Sequence, residues 1–280
     1  MRNVGSRQIE FQEEEDSMGL AHGTIGWTDV AVPDMDAGQA FYGSLFGWDT
    51  DEGDGGESMP YRMFSLDGKA IAGMGPLSPE QAAAGQPPAW SSYIIVDDAD
   101  ATYAKAVELG ATPLMEVMDV LDAGRMFFMI DPVGAAVGIW QSGYHDGGEV
   151  FNVPGAMTWN ELMCRDVDAA KSFYSEVFGW GAETSDFGGV AYTVFSNEGR
   201  SNGGLMDMSA FMPDEVPAHW VTSFLVADCD ATAALAVELG ATLLQPPTDQ
   251  GGVRSATVLD PFGASFSVIA SSQTDGQPPR

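Results

Sequence analysis

The chain has 280 residues, room for about two domains, and carries 41 acidic against 11 basic side chains, a net charge of −30. That charge repels nucleic acid and anionic membrane surfaces, so neither is an expected partner. No apolar run approaches the roughly 18 residues that span a bilayer.

Glu10, Glu13, Glu14, Glu15 and Asp16 give the N-terminus an acidic character without the basic-then-apolar order of a secretory signal. Residues 1–19 are expected to form a disordered tail. Thr28, Val30 and Val32 then alternate with Trp27, Asp29 and Ala31, a strand with two differently used faces. Asp34 or Asp36 can cap the next helix, whose apolar face holds Ala37, Ala40, Phe41 and Leu45 before Gly47 stops it. Short strands are predicted around 61–66, 70–74 and the approach to Pro76. The order then restarts: a strand over 92–96, Asp98 as cap, a helix over 99–109 closed by Gly110, and strands at 112–117, 125–130 and 135–140.

The whole pattern recurs. The offset is 132 residues for Trp27/Trp159, Asp34/Asp166, Tyr42/Tyr174 and Trp48/Trp180, then 131 for Tyr61/Tyr192 and Gly73/Gly204. It is 130 for Trp90/Trp220 and 129 for Arg125/Arg254 and Asp131/Asp260. So small a drift over a long period means two tandem copies of one globular domain. The expected boundaries are 20–142 and 155–271, with a Gly-rich linker at 143–154 and a second disordered tail at 272–280. Cys164 and Cys229 stand where the other copy has Val32 and Ala99. Small core residues in a reducing cytoplasm are expected there, not a disulfide or a zinc site.

Three motifs recur in both copies: V-P-D-M-D-A-G-Q-A-F-Y-G-S-L-F-G-W, Y-I-I-V-D-D-A-D-A with E-L-G-A-T, and G-R-M-F-F-M-I-D-P-V-G-A. Over residues 20–270 the chain resembles the glyoxalase/bleomycin-resistance/extradiol-dioxygenase group, the vicinal oxygen chelate superfamily. The resemblance implies an α+β fold of two tandem glyoxalase-like domains. Each would consist of two βαβββ modules curling around a cavity.

It also implies a divalent metal held by His, Gln or Glu. The corresponding positions hold Trp27, Ser91, Gly138 and Ala72–Gly73 in one copy, and Trp159, Val221, Ser267 and Gly203–Gly204 in the other. None is a good ligand. The expectation is therefore no metal and no cofactor, which places metal-dependent glyoxalase or dioxygenase activity last among the readings.

With Trp27 and Trp159 inward, strand alternation turns Asp29 and Glu161 inward too. An acid in an aromatic cavity is a candidate catalytic acid or base; equally, it satisfies a backbone amide or pairs with an arginine. Arg125 and Arg254 either close salt bridges or receive an anionic ligand oxygen. Tyr61 and Tyr192 either offer hydroxyls to a ligand or pack. Trp90 and Trp220 are expected to pack. His219, which has no counterpart in the first copy, is either a surface residue or a feature of the second site. Met115, Met118, Met126 and Met129 suit an adaptable pocket or an adaptable core.

Two functions follow. One is metal-independent binding of an aromatic or apolar metabolite or drug, between walls that include Trp27 and Trp159. The other is a metal-free lyase, isomerase or hydrolase using Asp29 or Glu161. In either case the partner is a small molecule, and the chain acts as a monomer or a homodimer.

Overall fold

The computed structural model describes residues 19–52, 60–83, 85–187, 189–250 and 252–271, so the expected tails, apart from Gly19, lie outside the described residues. The first repeat contains β1 (Ile25–Val32), α1 (Met35–Phe46), β2 (Asp49–Glu52), β3 (Arg62–Leu66), β4 (Lys69–Pro76) and the short α2 (Pro79–Ala83). It continues with β5 (Ala89–Ile95), α3 (Ala99–Glu108), β6 (Thr112–Pro113), β7 (Met118–Val120), β8 (Gly124–Ile130) and β9 (Ala136–Ser142). The second repeat contains β10 (Met157–Cys164), α4 (Val167–Phe178), β11 (Gly181–Phe187), β12 (Val190–Asn197) and β13 (Arg200–Asp207). Its second module is β14 (His219–Leu225), α5 (Cys229–Glu238), β15 (Thr242–Gln250), β16 (Val253–Leu259) and β17 (Ser265–Ser271).

Each repeat makes one sheet. The first has the order β2-β3-β4-β1-β5-β9-β8-β6, with β7 beside β8; the second has β11-β12-β13-β10-β14-β17-β16-β15. The modules join through the antiparallel pairs β1–β5 and β10–β14, while β1–β4 and β5–β9 run parallel. This is the expected α+β arrangement of paired βαβββ modules.

Local chemistry sets the helix ends. Asp34, not Asp36, caps α1 by accepting from the amides of Asp36 and Ala37, and Gly47 at φ 74° closes it in the left-handed region. Asp166 and Gly179 do the same for α4, and Asp98 and Asp228 cap α3 and α5. Three strand expectations need correction. The runs at 70–74 and near Pro76 form one strand, β4, and the module's remaining strand is β2. Its sequence, Asp-Thr-Asp-Glu, sits at a sheet edge and carries no apolar signal. The expected strand at 112–117 is only β6, because the chain turns before β7.

The two cores do not follow the two repeats. One core joins Val30, Val32, Phe41, Tyr42 and Phe64 of the first repeat to Phe224, Ala233, Val258 and Phe266 of the second. The other joins Ile94, Phe127 and Ile139 to Leu162, Phe173, Tyr174 and Phe195. Each core thus combines the first module of one repeat with the second module of the other.

Paired hydrogen bonds secure this exchange. Tyr42 donates to Asp260 Oδ2 at 2.5 Å, and Tyr174 donates to Asp131 Oδ2 at 2.8 Å. The same two aspartates accept the backbone amides of their own D-P-x-G-A turns. Trp90 and Trp220 are core residues, as expected, and donate to the hydroxyls of Tyr42 and Tyr174. Trp48 and Trp180 donate to the carbonyls of Gly155 and Gly23, again across repeats. Between the sheets lies a buried polar cluster: Ser92 donates to Asn160 Oδ1 at 2.7 Å, and the Thr28 and Thr222 hydroxyls meet at 3.1 Å.

Residues 143–149 pack back onto the first repeat, with Gly148 donating to the Gly26 carbonyl and Glu149 to that of Ala70. Phe151 enters the first shared core. Both cysteines are free and buried. Among the described residues no helix is long and apolar enough to cross a membrane.

Removing either tyrosine hydroxyl leaves a buried carboxylate oxygen and an indole N–H short of a partner. Tyr42→Phe and Tyr174→Phe should each lower unfolding free energy by about 1–3 kcal/mol, measured by urea denaturation. Unchanged stability in both would contradict the cross-repeat role.

Candidate functional site

The inner, concave face of each sheet starts from the same residue types and ends in different states. On β1 and β10, Trp27/Asp29 and Trp159/Glu161 turn inward, while Thr28, Val30 and Leu162 go to the shared cores and the polar cluster. In both repeats the indole donates to a tyrosine hydroxyl: Trp27 to Tyr61 at 3.1 Å, Trp159 to Tyr192 at 2.8 Å. That tyrosine in turn hydrogen bonds the acid. Gly73 and Gly204 are required here, because a Cβ at either would overlap the tyrosine hydroxyl. These glycines occupy positions where the resemblance implies a ligand.

In the first repeat a second tyrosine closes the arrangement. Tyr93 donates to Asp29 Oδ2 at 2.7 Å, and Tyr61 donates to the same oxygen at 3.2 Å. A Cβ at Gly138 would overlap the Tyr93 ring, so that glycine makes room for the tyrosine. Trp27, Tyr93, Ile95 and Trp140 form a packed cluster backed by Met126 and Phe128. The His145 ring covers it edge-on to Trp27, with centroids 4.5 Å apart. Burial pushes the Asp29 pKa up to about 6, despite the tyrosine bonds that pull it down, and pushes His145 down. Trp27, Tyr61 and Asp29 are therefore brought together in one hydrogen-bonded network, in which Trp27 is buried and Tyr61 and Asp29 are half-buried.

The second repeat is open. A cavity of about 1400 Å³ lies on the concave face, bounded by Trp159, Glu161, Tyr192, Met163, Met206 and Val221 on one side. His219 lies on its wall, its Nδ1 2.9 Å from the Pro217 carbonyl, and Phe151 and Asn152 of the inter-repeat segment complete it. Glu161 is held by Tyr192, and burial raises its pKa. Burial, followed by the neighbouring Glu161 charge, raises that of Tyr192.

The difference traces to four exchanges at equivalent positions. Tyr93 becomes Ser223, Phe128 becomes Thr257, Met126 becomes Ser255 and Trp140 becomes Ile269. All four replacements line the cavity. Ser223 is also the strand partner of Trp159, as Tyr93 is of Trp27; Ser91 and Val221 instead face Asp29 and Glu161 across the strands. Comparing the copies for large-to-small disagreement is the signal that singles these residues out.

The expected ligand role of Arg125 and Arg254 needs correction. Strand alternation puts Phe127 and Met129, and Ala256 and Val258, on the helix side, so Arg125 and Arg254 fall on that side too. Arg125 pairs with Asp100 and Asp119, and Arg254 with Asp230 and Asp249, all in exposed ion pairs. The methionines divide: Met129 and Met115 join a shared core, Met126 the Trp27 cluster, and Met118 is exposed.

A cation of the kind the family implies needs several nitrogen or oxygen donors converging on one point. Around Asp29 the neighbours are indole, phenol and glycine; Glu161 is bonded by one phenol and flanked across the strands by Gly204 and Val221. No three His, Cys, Asp or Glu side chains gather among the described residues. The residues present do not fit the group.

A raised carboxyl pKa means that the folded state binds the proton more tightly than the unfolded chain. Its stabilising share is present below about pH 4 and is lost as pH rises to about 6. Wild type should therefore lose about 2 kcal/mol relative to Asp29→Asn between pH 4 and 7, in denaturation curves taken across that range. Parallel pH profiles would contradict the buried Asp29.

Residues 24–139 match the Glyoxalase/Bleomycin resistance protein/Dioxygenase superfamily, and residues 158–269 match the Glyoxalase-like domain. The glyoxylase-named protein CFP32 of Mycobacterium bovis is 42% identical over 253 residues, covering 88% of this chain and 94% of that protein. The anthracycline biosynthesis protein DnrV of Streptomyces peucetius is 36% identical over 264 residues, covering 89% and 94%. Among solved structures, the Mn(II)-bound glyoxalase of Novosphingobium aromaticivorans shares the fold at TM-score 0.59 and 15% identity, covering 93% of this chain and 87% of that one. Two matched domains, two curled sheets and full-length relatives agree: the chain belongs to the glyoxalase/bleomycin resistance protein/dioxygenase superfamily, as a tandem two-domain member.

Proposed function

We propose that the second repeat binds a flat, largely apolar small molecule without a metal, and that the first repeat is its structural support. The observation that carries this reading is the opening of one concave face by Ser223, Thr257, Ser255 and Ile269 where the other is filled. A fold that needed only stability would fill both faces, since an unfilled cavity costs packing energy. The apolar part of the wall, Trp159, Met163, Met206 and Val221, suits the face of an aromatic ligand, and the volume suits a fused ring system better than a small metabolite. The relative named for anthracycline biosynthesis, a class built on fused rings, supports the same ligand type.

Glu161 is the anchor of this site. Burial holds its pKa up, so its neutral, hydrogen-bond-donating form persists to higher pH than that of an exposed carboxyl. That same property favours one second reading, a metal-free lyase or isomerase in which Glu161 moves a proton and the Tyr192 hydroxyl steadies it. Asp29, whose Oδ2 is taken up by two tyrosine hydroxyls, has no part in either.

Rebuilding the first repeat's packing in the second tests the proposal. Tyr at position 223 needs the space that Gly138 provides in the first repeat, so the variant is Ser223→Tyr with Ser267→Gly. It should retain or raise the unfolding midpoint and abolish calorimetric binding of 2,6-dihydroxyanthraquinone, whereas Asp29→Asn should bind it as wild type does. Undiminished binding in the double variant would place the ligand elsewhere. Glu161→Gln separates the two readings: several-fold weaker binding fits an anchor, whereas unchanged binding with turnover lost fits the proton-moving enzyme.

A further inference from the structure

The residues that open the cavity do more than remove bulk. Following the strand pairing outward from Trp159, its partner is Ser223, then Ser267, then Thr257, then Gln245. These residues form one row across five adjacent strands, and all of them line the cavity. The row in the first repeat reads Trp27, Tyr93, Gly138 and Phe128. Ser223, Ser267 and Thr257 therefore stand where the first repeat has two aromatic rings and a glycine, and Gln245 extends the polar row by one strand.

Simple enlargement of a cavity needs only small apolar residues, and alanine or valine would serve at lower desolvation cost. Hydroxyls instead retain a need for partners. Thr257 Oγ1 and Ser267 Oγ lie 3.3 Å apart at the middle of the row, and all three hydroxyls and the Gln245 amide are able both to donate and to accept. Neighbouring strands stand about 4.8 Å apart, so the row from Ser223 to Gln245 spans roughly 14 Å, the scale of a fused polycyclic edge. The wall around Trp159, Met163 and Met206 also carries Val194 and Val221, together with Glu161, Tyr192 and His219. A continuous polar row therefore lies along one edge of the cavity, and single polar groups set among apolar ones line the other side.

We infer that the Ser223–Ser267–Thr257–Gln245 row is a specificity strip that reads oxygen substituents along one edge of a fused-ring ligand. The inference rests on the ring-binding reading above and names its ligand class: polyoxygenated polycyclic aromatics, such as hydroxylated quinones, in preference to bare or alkylated rings. Glu161 anchors one end, and the strip selects among ring systems of the same shape. A site built this way rejects the analogue lacking oxygen, because its hydroxyls are then buried without partners.

The test compares two probes of equal shape, 2,6-dihydroxyanthraquinone and 2,6-dimethylanthraquinone, by equilibrium dialysis against the full chain. Wild type should bind both and prefer the dihydroxy compound roughly 10- to 100-fold. Ser223→Ala/Thr257→Val/Ser267→Ala should bind the dimethyl compound at least as well and lose most of the preference. Ser267→Ala alone should lose part of it, which keeps the test open if the triple variant fails to fold. Equal wild-type affinity for both probes, or a preference that survives the substitutions, would overturn the strip while leaving ring binding intact. Binding of neither probe by wild type would overturn the ring-binding reading, and this inference with it.

Discussion

The reciprocal bond between a tyrosine of one repeat and an aspartate of the other governs the molecule. Tyr42 reaches Asp260 and Tyr174 reaches Asp131, each inside a core that mixes modules from both repeats. Those aspartates also hold the turns that aim the last strand of each sheet. The helix-covered faces of both sheets are thereby committed to each other. Any substitution there disturbs both repeats, so the concave faces are where the two copies were free to part.

Their divergence is physical as well as chemical. The first repeat fills its hollow with Trp27, Tyr61 and Tyr93 around Asp29, and closes it with the His145 ring. Two phenol donors on one carboxylate oxygen compensate part of the cost of burying it, yet its pKa still rises. The second repeat keeps the same Trp–Tyr–acid line but replaces the second phenol with Ser223. Its acid therefore borders open space. On the proposed reading, one copy supplies support and the other supplies the site.

Much of this was legible in the sequence. Agreement between the copies gave the duplicated α+β domains, a cap at Asp34 or Asp36 and another at Asp98, and the inward direction of Asp29 and Glu161. It could not show β2, whose Asp-Thr-Asp-Glu has no apolar period, or that the cores cross between repeats, because pairing of modules is a tertiary choice. Arg125 and Arg254 stood out for scarcity in an acidic chain. The alternation of Phe127 and Met129 places Arg125 on the helix side, where Asp100 waits at the start of α3. The open site was hidden for a different reason. Agreement between copies reports what the fold requires, while Tyr93 against Ser223 and Phe128 against Thr257 are disagreements.

The central claim is that only the second hollow admits a ligand. It is tested most directly by fluorine NMR of the chain labelled with 5-fluorotryptophan, with resonances assigned by single Trp→Phe variants, during titration with 2,6-dihydroxyanthraquinone. The account predicts a saturable shift of the Trp159 resonance while that of Trp27 stays in place. A shift at Trp27 with Trp159 unmoved would contradict it.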